Sequence, residues 1–329
     1  MTTPILQIEN LVTSFPSANG RIPVVDKLSL HVNAGEIMSL VGESGSGKSM
    51  TAFSAMRLVP KPGLVHPESK IMLEGKNILD LSVSDMRSIR GSQMAMIFQE
   101  PMTSLNPVQT VGKQIVEAIR LHEKTTFSNA KKRTIALFEQ VGIPDPDQRF
   151  STYPHQLSGG LKQRIMIAMA LSMNSKFLIA DEPTTALDVT VQAQILDLLR
   201  KLRDERGTAI LLITHDLGVV NEVTDRVAVM YAGKIVERGT REDILHHPSH
   251  PYTKGLLKSI PGHANQGERL EEIPGVVPQP KDWPKGCRFS TRCYKKFEPC
   301  ADTEPKITTI TQNHSTSCHH VERMMNDES

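Results

Sequence analysis

The sequence predicts an α/β fold with a mostly parallel core sheet. Three apolar runs indicate strands buried on both faces, because none of them alternates with polar residues. They are EIMSLVG (36–42), FLIAD (177–181) and AILLITH (209–215). The stretch VQAQILDLLRKLRDE has helical spacing and lies between the last two runs. Strands that alternate with helices are typical of parallel sheets joined by crossover helices.

The N-terminal residues indicate a different kind of sheet. ILQIENLVTSF (5–15) and PVVDKLSLHV (23–32) alternate apolar and polar residues around the turn-rich break SANGR. Such alternation is typical of strands with one buried face. We therefore expect an antiparallel β-subdomain before the core sheet.

The rest of the chain adds a helical insertion and a C-terminal extension. Residues 100–156 carry helical patterns such as VGKQIVEAIRLHE and no strand of comparable quality, which predicts a helical subdomain. After about residue 250 the sequence becomes rich in Pro and Gly, as linkers are. We predict a main domain over 1–260, with the helical subdomain inside it, and a small Cys-containing extension over 261–329.

Charge and hydropathy exclude some classes of protein. The 329 residues carry 38 Lys and Arg against 36 Asp and Glu, a formal net charge of +2. This balance argues against a protein that coats nucleic acid, because phosphate neutralisation needs a basic excess. The longest apolar run, Ile165 to Leu171, is far shorter than the roughly 18 residues of a membrane-spanning helix. The N-terminus, MTTPILQIEN, shows no secretion signal, so we expect a cytoplasmic chain.

A glycine-rich loop follows the first buried strand. Residues 42–49, GESGSGKS, match the pattern G-x-x-x-x-G-K-[ST] in full. Its glycines let backbone N–H groups converge on phosphate oxygens, and the following helix N-terminus favours negative charge. Lys48 is expected to reach the β- and γ-phosphates, and Ser49 to bind Mg²⁺. The residues predicted to bind ATP or GTP here are Gly42, Ser44, Gly45, Ser46, Gly47, Lys48 and Ser49.

Two carboxylates end the second buried strand. In FLIADEP (177–183), Asp181 lies at the carboxyl end of the strand, where ligands bind in open α/β sheets. Asp181 is expected to hold Mg²⁺, and Glu182 to polarise the attacking water. Strand-end carboxylates also cap helices, so the prediction depends on the pairing with the phosphate loop.

A second turn with anion-binding character lies about 20 residues earlier. In LSGGLKQ (157–163), Ser158 stands where an N-cap belongs, and Gly159 and Gly160 precede a helix. A helix N-terminus with exposed N–H groups can bind an anion. Standing alone, this turn would indicate only a capped helix.

In this order, the motifs resemble those of nucleotide-binding subunits of ATP-binding cassette transporters, over residues 5–260. The resemblance implies a P-loop NTPase cassette that hydrolyses ATP with Mg²⁺. It adds Gln99, which in this family senses Mg²⁺ and links the site to the transmembrane subunits. It also adds His215, the switch histidine at the γ-phosphate, and Asp188, which bridges two subunits. Phe15, expected in a loop, matches the aromatic residue that stacks on adenine, with packing inside a hairpin as the alternative.

The resemblance also implies a composite site. In this family two ATP molecules lie between Lys48 of one subunit and the Ser158-Gly159-Gly160 turn of the other. ATP binding closes the dimer, and hydrolysis with product release opens it. The helical subdomain docks on a membrane subunit and passes the opening on as alternating access.

The flanking segments are similar to one subgroup of these transporters. QEPMTSLNP, DEPTTALDVTVQAQI, HPYTKGLL and PGVVP resemble the ATPases of oligopeptide and dipeptide importers, a subgroup that includes nickel importers. This resemblance implies two transmembrane permease subunits, a second ATPase subunit and an extracytoplasmic solute-binding protein. It places the chain at the inner face of the cytoplasmic membrane, held there by its partners. Nickel or another small solute is the alternative cargo.

All four cysteines lie near the C-terminus. Cys287, Cys293, Cys300 and Cys318 follow 286 residues that contain none. Their spacing lacks the C-x2-C pairs of easily identified zinc sites. The surrounding sequence resembles the peptide-importer extension, where such a quartet can hold an iron–sulfur cluster. A [4Fe–4S] cluster is favoured, with zinc and four unliganded thiols as the alternatives.

Two other classes of cassette protein stay open as alternatives. Soluble ATPases that act on DNA usually split the cassette with a long coiled coil, yet only 58 residues separate Gln99 from Ser158. Ribosome-acting members usually carry two cassettes, and this chain has one. An exporter subunit is disfavoured by the absence of fused membrane spans.

Overall fold

The computed structural model describes residues 4–18, 20–100, 104–185, 187–259 and 272–327. The predicted boundary between residues 260 and 261 therefore lies outside the described residues. The chain divides into two compact units. The helix-rich unit comprises Met1–Ile5, Val32–Glu36 and Asn77–Leu212. The phosphate-loop unit comprises Leu6–His31, Ile37–Lys76 and Ile213–Ser329.

The N-terminal strands form an antiparallel sheet. Strand β1 (Pro4–Ser17) pairs antiparallel with β5 (Lys70–Leu73), with Leu6 opposite Leu73. It also pairs antiparallel with β4 (Leu64–Val65), with Thr13 opposite Val65. Buried and partly exposed residues alternate along the first half of β1, as a strand with one core face requires. The order is β2-β1-β5-β6, with β4 on β1. The strands are β1 (Pro4–Ser17), β2 (Gly20–Asn33), β4 (Leu64–Val65), β5 (Lys70–Leu73) and β6 (Lys76–Asn77).

A second sheet in the phosphate-loop unit carries the glycine-rich loop. Strand β3 (Ile37–Val41) is fully buried and runs parallel to β10 (Arg226–Tyr231). Strand β10 pairs antiparallel with β11 (Lys234–Thr240), and β11 pairs with β13 (Ser315–Ser317). Strand β12 (Ile307–Thr309) then pairs with β13. The C-terminal residues thus extend the sheet that holds the loop.

Among the described residues, the same unit contains five helices. Helix α1 (Lys48–Ala55) follows the loop directly, and α8 (Leu217–Val223) lies between β9 (Ala209–Thr214) and β10 in the chain. The helices are α1 (Lys48–Ala55), α8 (Leu217–Val223), α9 (Arg241–His246), α10 (Pro251–Lys258) and α11 (His319–Asp327).

The helix-rich unit contains a parallel strand pair and most of the long helices. Strand β7 (Met94–Ile97) lies parallel to β8 (Phe177–Asp181), and all nine residues are buried. Strand β9 (Ala209–Thr214) begins in this unit. The helices are α2 (Val83–Ile89), α3 (Val111–His122), α4 (Phe127–Gln140), α5 (Pro146–Arg149), α6 (Gly159–Ala170) and α7 (Val189–Arg206).

These elements confirm the predicted fold class. Both units contain parallel strand pairs, the N-terminal sheet is antiparallel, and helices connect the buried strands. Among the described residues, no helix combines the length and the apolar composition needed to cross a membrane.

An aromatic cluster joins the C-terminal residues to the sheet of the phosphate-loop unit. The ring of Phe289 is buried, 5.2 Å from the ring of Tyr231 on β10 and 5.3 Å from that of Tyr252 on α10. The two tyrosine rings are 4.6 Å apart. Edge-to-face packing of this kind stabilises a core by more than the burial of apolar surface alone would.

We expect Phe289→Ala to lower the free energy of unfolding by about 3–5 kcal/mol, because it leaves a cavity in this cluster. Guanidinium denaturation followed by the fluorescence of Trp283, the only tryptophan, measures the loss. The matched control is Tyr294→Ala, since the Tyr294 ring is exposed; a change within about 0.5 kcal/mol is expected. Equal effects of the two substitutions would contradict the role of the cluster.

Candidate ATP-binding site

The phosphate loop turns sharply where β3 ends. Gly42 has a φ of 155°, and a Cβ there would lie 2.2 Å from the carbonyl oxygen of Met230. Gly47 has a φ of 106°, and a Cβ there would lie 2.9 Å from the carbonyl oxygen of Val24. Only glycine fits these two positions. No described atom lies within 4 Å of the Cβ position of Gly45, so the exposed loop is open to a ligand there.

Polar side chains of the loop suit an anionic ligand. Lys48 is buried, and its Nζ donates hydrogen bonds to the carbonyl oxygens of Gly42 (2.7 Å) and Glu43 (3.0 Å). The buried Oγ of Ser46 has no hydrogen-bond partner among the described residues. Buried hydroxyls normally have a partner, so this atom fits a phosphate oxygen. Ser49 lies half-buried in the first turn of α1, and Ser44 is exposed.

A hydrogen-bonded carboxylate follows strand β8 in the helix-rich unit. Asp181 is buried at the carboxyl end of the strand. Glu182 has a φ of 47°, a left-handed conformation that is uncommon outside glycine and recurs at functional sites. Its Oε2 accepts hydrogen bonds from Gln99 Nε2 (3.1 Å) and Thr185 Oγ1 (3.0 Å). Two donors thus orient one carboxylate oxygen.

Ser158 is the N-cap of α6, as predicted. The N–H of Leu161 donates to the Oγ of Ser158 at 3.4 Å. No described atom lies within 4 Å of the Cβ position of Gly159, and for Gly160 the nearest is a methyl of Leu187 at 3.8 Å. The turn is therefore open on its outer side, where a second molecule could approach.

Asp188 has a structural contact of its own. It is the N-cap of α7, and its Oδ1 accepts the N–H of Val191 at 2.9 Å. An N-cap aspartate stabilises a helix by about 1 kcal/mol. His215 is exposed directly after β9. The next residue, Asp216, caps α8 through a 2.8 Å hydrogen bond from Gly218.

The expectation that Phe15 lies in a loop is wrong. Strand β1 continues to Ser17, so Phe15 lies within the strand. Its ring is half-buried, and a Cβ on Gly63 would lie 2.7 Å from it. Strand β1 pairs with β2, and it continues to Ser17, past the apolar alternation that indicated its end. Arg21 on β2 also donates a hydrogen bond to the carbonyl oxygen of Ser14 at 2.8 Å.

The site residues fall into both units. Gly42 to Ser49, Phe15 and His215 belong to the phosphate-loop unit. The helix-rich unit contains Gln99, Asp181, Glu182, Ser158 to Gly160 and Asp188. Within the second set, the structure joins Gln99 to Glu182 by a hydrogen bond. Residues 101–103, which follow Gln99 in its motif, lie outside the described residues.

Three residues that the sequence did not predict to lie at the site contact the phosphate loop or Glu182. Thr185 donates to Glu182, and Tyr252 accepts the N–H of Glu43 at 2.9 Å. Arg292 forms a bidentate ion pair with the Glu43 carboxylate. Thr185 lies close enough in sequence to be suspected, whereas the other two lie more than 200 residues from the loop.

The four cysteines form no disulfide and lie in one small part of the phosphate-loop unit. Burial raises the pKa of Cys287 to about 12, and negative charge on the other three thiols adds to the shift. Burial also raises the pKa of Cys293 and of Cys318. Across the described part of the chain, no three His, Cys, Asp or Glu side chains are arranged to hold a metal ion. Cysteine sulfurs are suitable ligands for an iron–sulfur cluster, but the four cysteines are not arranged as a ligand set in this structure.

A phosphate loop after one buried strand and an oriented carboxylate after another define a nucleotide-hydrolysing cassette. The ABC transporter family profile matches residues 25–185, and that of the oligopeptide/dipeptide transporter C-terminal region matches residues 236–300. The chain belongs to the ABC transporter ATP-binding proteins of the oligopeptide/dipeptide group.

Curated relatives align over nearly the whole chain. The oligopeptide transport ATP-binding protein AppD of Bacillus subtilis (strain 168) is 48% identical over 95% of this chain and 96% of its own length. The dipeptide transport ATP-binding protein DppD of Escherichia coli (strain K12) is 46% identical over 96% of each.

Solved structures share the cassette fold. The cassette MJ0796, in a dimeric post-hydrolysis state bound to ADP and Pi, has a TM-score of 0.65 and 26% identity. The structural alignment covers 72% of this chain and 98% of the MJ0796 chain. The cbiO1 protein of Clostridium perfringens has a TM-score of 0.62 and 27% identity, with 74% and 92% coverage.

We expect Lys48→Ala to weaken ATP binding by about 10- to 150-fold, because it removes a charged donor worth about 1.5–3 kcal/mol. Titration with a fluorescent ATP analogue measures the Kd. The control is Lys70→Ala, since that side chain is 63% exposed on β5. Unchanged affinity in the Lys48 variant would contradict the assignment of the phosphate loop.

Proposed function

We propose that this chain hydrolyses ATP to power the import of di- and oligopeptides across the cytoplasmic membrane. The observation that carries the proposal is sequence similarity. The chain is 46–48% identical, over at least 95% of its length, to proteins named as oligopeptide and dipeptide transport ATP-binding proteins. The motifs of ATP hydrolysis stand intact in the same chain. Nickel or another small solute is the alternative cargo.

The phosphate loop binds the triphosphate. Its backbone N–H groups and the N-terminus of α1 attract negative charge, and Lys48 exchanges its two carbonyl partners for phosphate oxygens. Ser49 and Asp181 supply hydroxyl and carboxylate oxygens, the ligands that Mg²⁺ prefers. Bound Mg²⁺ neutralises charge that develops on the phosphates.

Glu182 acts as the general base for the attacking water. Hydrogen bonds from Gln99 and Thr185 to its Oε2 support this role, because they fix the orientation of the carboxylate that accepts the proton. Gln99 also senses the metal, and His215 contacts the γ-phosphate. Phe15 supports the adenine ring from its place on β1.

Two chains complete each site. Ser158, Gly159 and Gly160 bind the γ-phosphate held by the loop of a second subunit, and Asp188 bridges the pair. The open outer side of the glycine turn supports this proposal. The related cassette MJ0796 is dimeric in its ADP-bound state. We propose that the second subunit is a paralogous ATPase.

The proposed complex contains membrane proteins. The helical subdomain, over residues 100–156 of the 1–260 cassette domain, docks on one of two transmembrane permease subunits. An extracytoplasmic solute-binding protein delivers the peptide. The chain then lies at the inner face of the cytoplasmic membrane without a spanning segment of its own.

We expect Glu182→Gln to slow ATP hydrolysis by about 10²–10⁴-fold while ATP still binds, because the amide cannot accept the proton. Phosphate release measures hydrolysis, and uptake of a labelled dipeptide by cells measures transport. Both must fall together. The control is Glu139→Gln, an exposed carboxylate on α4. Normal hydrolysis would remove Glu182 from this role, and normal uptake without hydrolysis would overturn the importer proposal.

We also propose that Cys287, Cys293, Cys300 and Cys318 hold an iron–sulfur cluster in the extension over residues 261–329. Their clustering supports the proposal, since all four cysteines of the chain lie within residues 287–318. Thiolates of this number suit a [4Fe–4S] cluster best and zinc second.

Anaerobically purified protein should contain about four iron atoms per chain and absorb near roughly 400 nm. Cys300→Ser should lose most of the iron, because the sulfur of a buried cysteine is replaced by a harder ligand. Lys48→Ala is the control and should keep the iron. A colourless protein, with zinc or with no metal, would contradict the cluster.

A further inference from the structure

The guanidinium of Arg292 is fully hydrogen-bonded beside the phosphate loop. Its Nη1 and Nη2 donate to the two carboxylate oxygens of Glu43 at 2.5 and 3.0 Å. The remaining donors reach the hydroxyl of Tyr231 (3.4 Å) and the carbonyl oxygens of Ile273 (3.1 Å) and Pro274 (2.9 Å). All five N–H groups of the side chain thus have partners. Lysine could not reproduce this fork.

Glu43 is the residue through which this contact reaches the loop. Besides its ion pair with Arg292, its N–H donates to the hydroxyl of Tyr252, and its carbonyl oxygen accepts the Nζ of Lys48. The same carbonyl accepts the N–H of Ser46 at 3.2 Å. The first variable position of the loop is therefore fixed at its side chain, its N–H and its C=O.

The ion pair also settles a problem of charge. A free carboxylate at position 43 would repel the triphosphate that the loop binds, and at this partly buried position water screens it weakly. The Arg292 side chain is only 5% exposed, and Glu43 is 28% exposed. The pair brings the local charge near zero and keeps the carboxylate turned toward the C-terminal residues.

We infer that Arg292 is a positioning residue for ATP binding: from the cysteine-bearing C-terminal segment it neutralises Glu43, the only acidic side chain of the phosphate loop, and keeps that carboxylate turned away from the ligand. The inference rests on the proposed function, since it takes the ligand of the loop to be ATP. Arg292 precedes Cys293 directly, so the segment that carries the four cysteines is also the segment that supports the loop.

The test uses the full chain and four variants. Arg292→Met should weaken ATP binding about tenfold, since coupling between contacting groups is of this size. The rate at saturating ATP should stay within about threefold, because Arg292 touches no reacting atom. Adding Glu43→Gln to Arg292→Met should restore the affinity to within about threefold of the wild type. Lys296→Met, an exposed cation of the same segment, is the control and should leave the Kd unchanged.

The restoration separates neutralisation of the Glu43 carboxylate from general damage to the fold. If Arg292 only stabilised the C-terminal segment, the double variant would bind ATP as weakly as Arg292→Met, and that result overturns the inference. Glu43→Gln alone provides a test that does not require Arg292→Met to fold. It should bind ATP at least as tightly as the wild type, and a tenfold loss would also overturn the inference. Absence of ATP binding by the wild-type chain would instead refute the proposed function.

Discussion

The turn at Gly42 is the constraint on which the phosphate site depends. Strand β3 is buried on both faces, so its direction is fixed, and the chain must leave it beside the carbonyl oxygen of Met230 on β10. A Cβ at position 42 has no room there. The loop can therefore wrap a ligand only because β3 and β10 lie side by side and the exit residue is glycine. The position of Lys48 follows from this turn.

The conformation of Glu182, the proposed general base, depends on a comparable local constraint. Glu182 adopts a left-handed conformation directly after Asp181, which costs of order 1 kcal/mol or more and must be offset by its surroundings. Hydrogen bonds from Gln99 and Thr185 provide part of this compensation. Strain of this kind, held by two donors on one oxygen, is consistent with a group that has to point in one direction during the reaction.

The features that sequence predicted best are local ones. Buried strands, the glycine loop and the N-cap at Ser158 follow from periodicity and from residues within one turn of each other. Phe15 was misplaced because polar residues near the hairpin tip resemble a loop, whereas pairing with β2 continues the strand to Ser17. The pairing of Glu43 with Arg292 spans 249 residues, and no spacing rule links two charges so far apart. Only the folded sheet brings them together.

The C-terminal residues pack against the elements that carry the phosphate loop. Strand β13 pairs with β11, which protects an edge that would otherwise offer unpaired N–H and C=O groups. Phe289 fills the aromatic cluster with Tyr231 and Tyr252, and the second of these tyrosines contacts the loop. The coupling free energy between two sites is the same in both directions. If the segment around Arg292 favours ATP binding to the loop, bound ATP must therefore stabilise that segment by the same free energy.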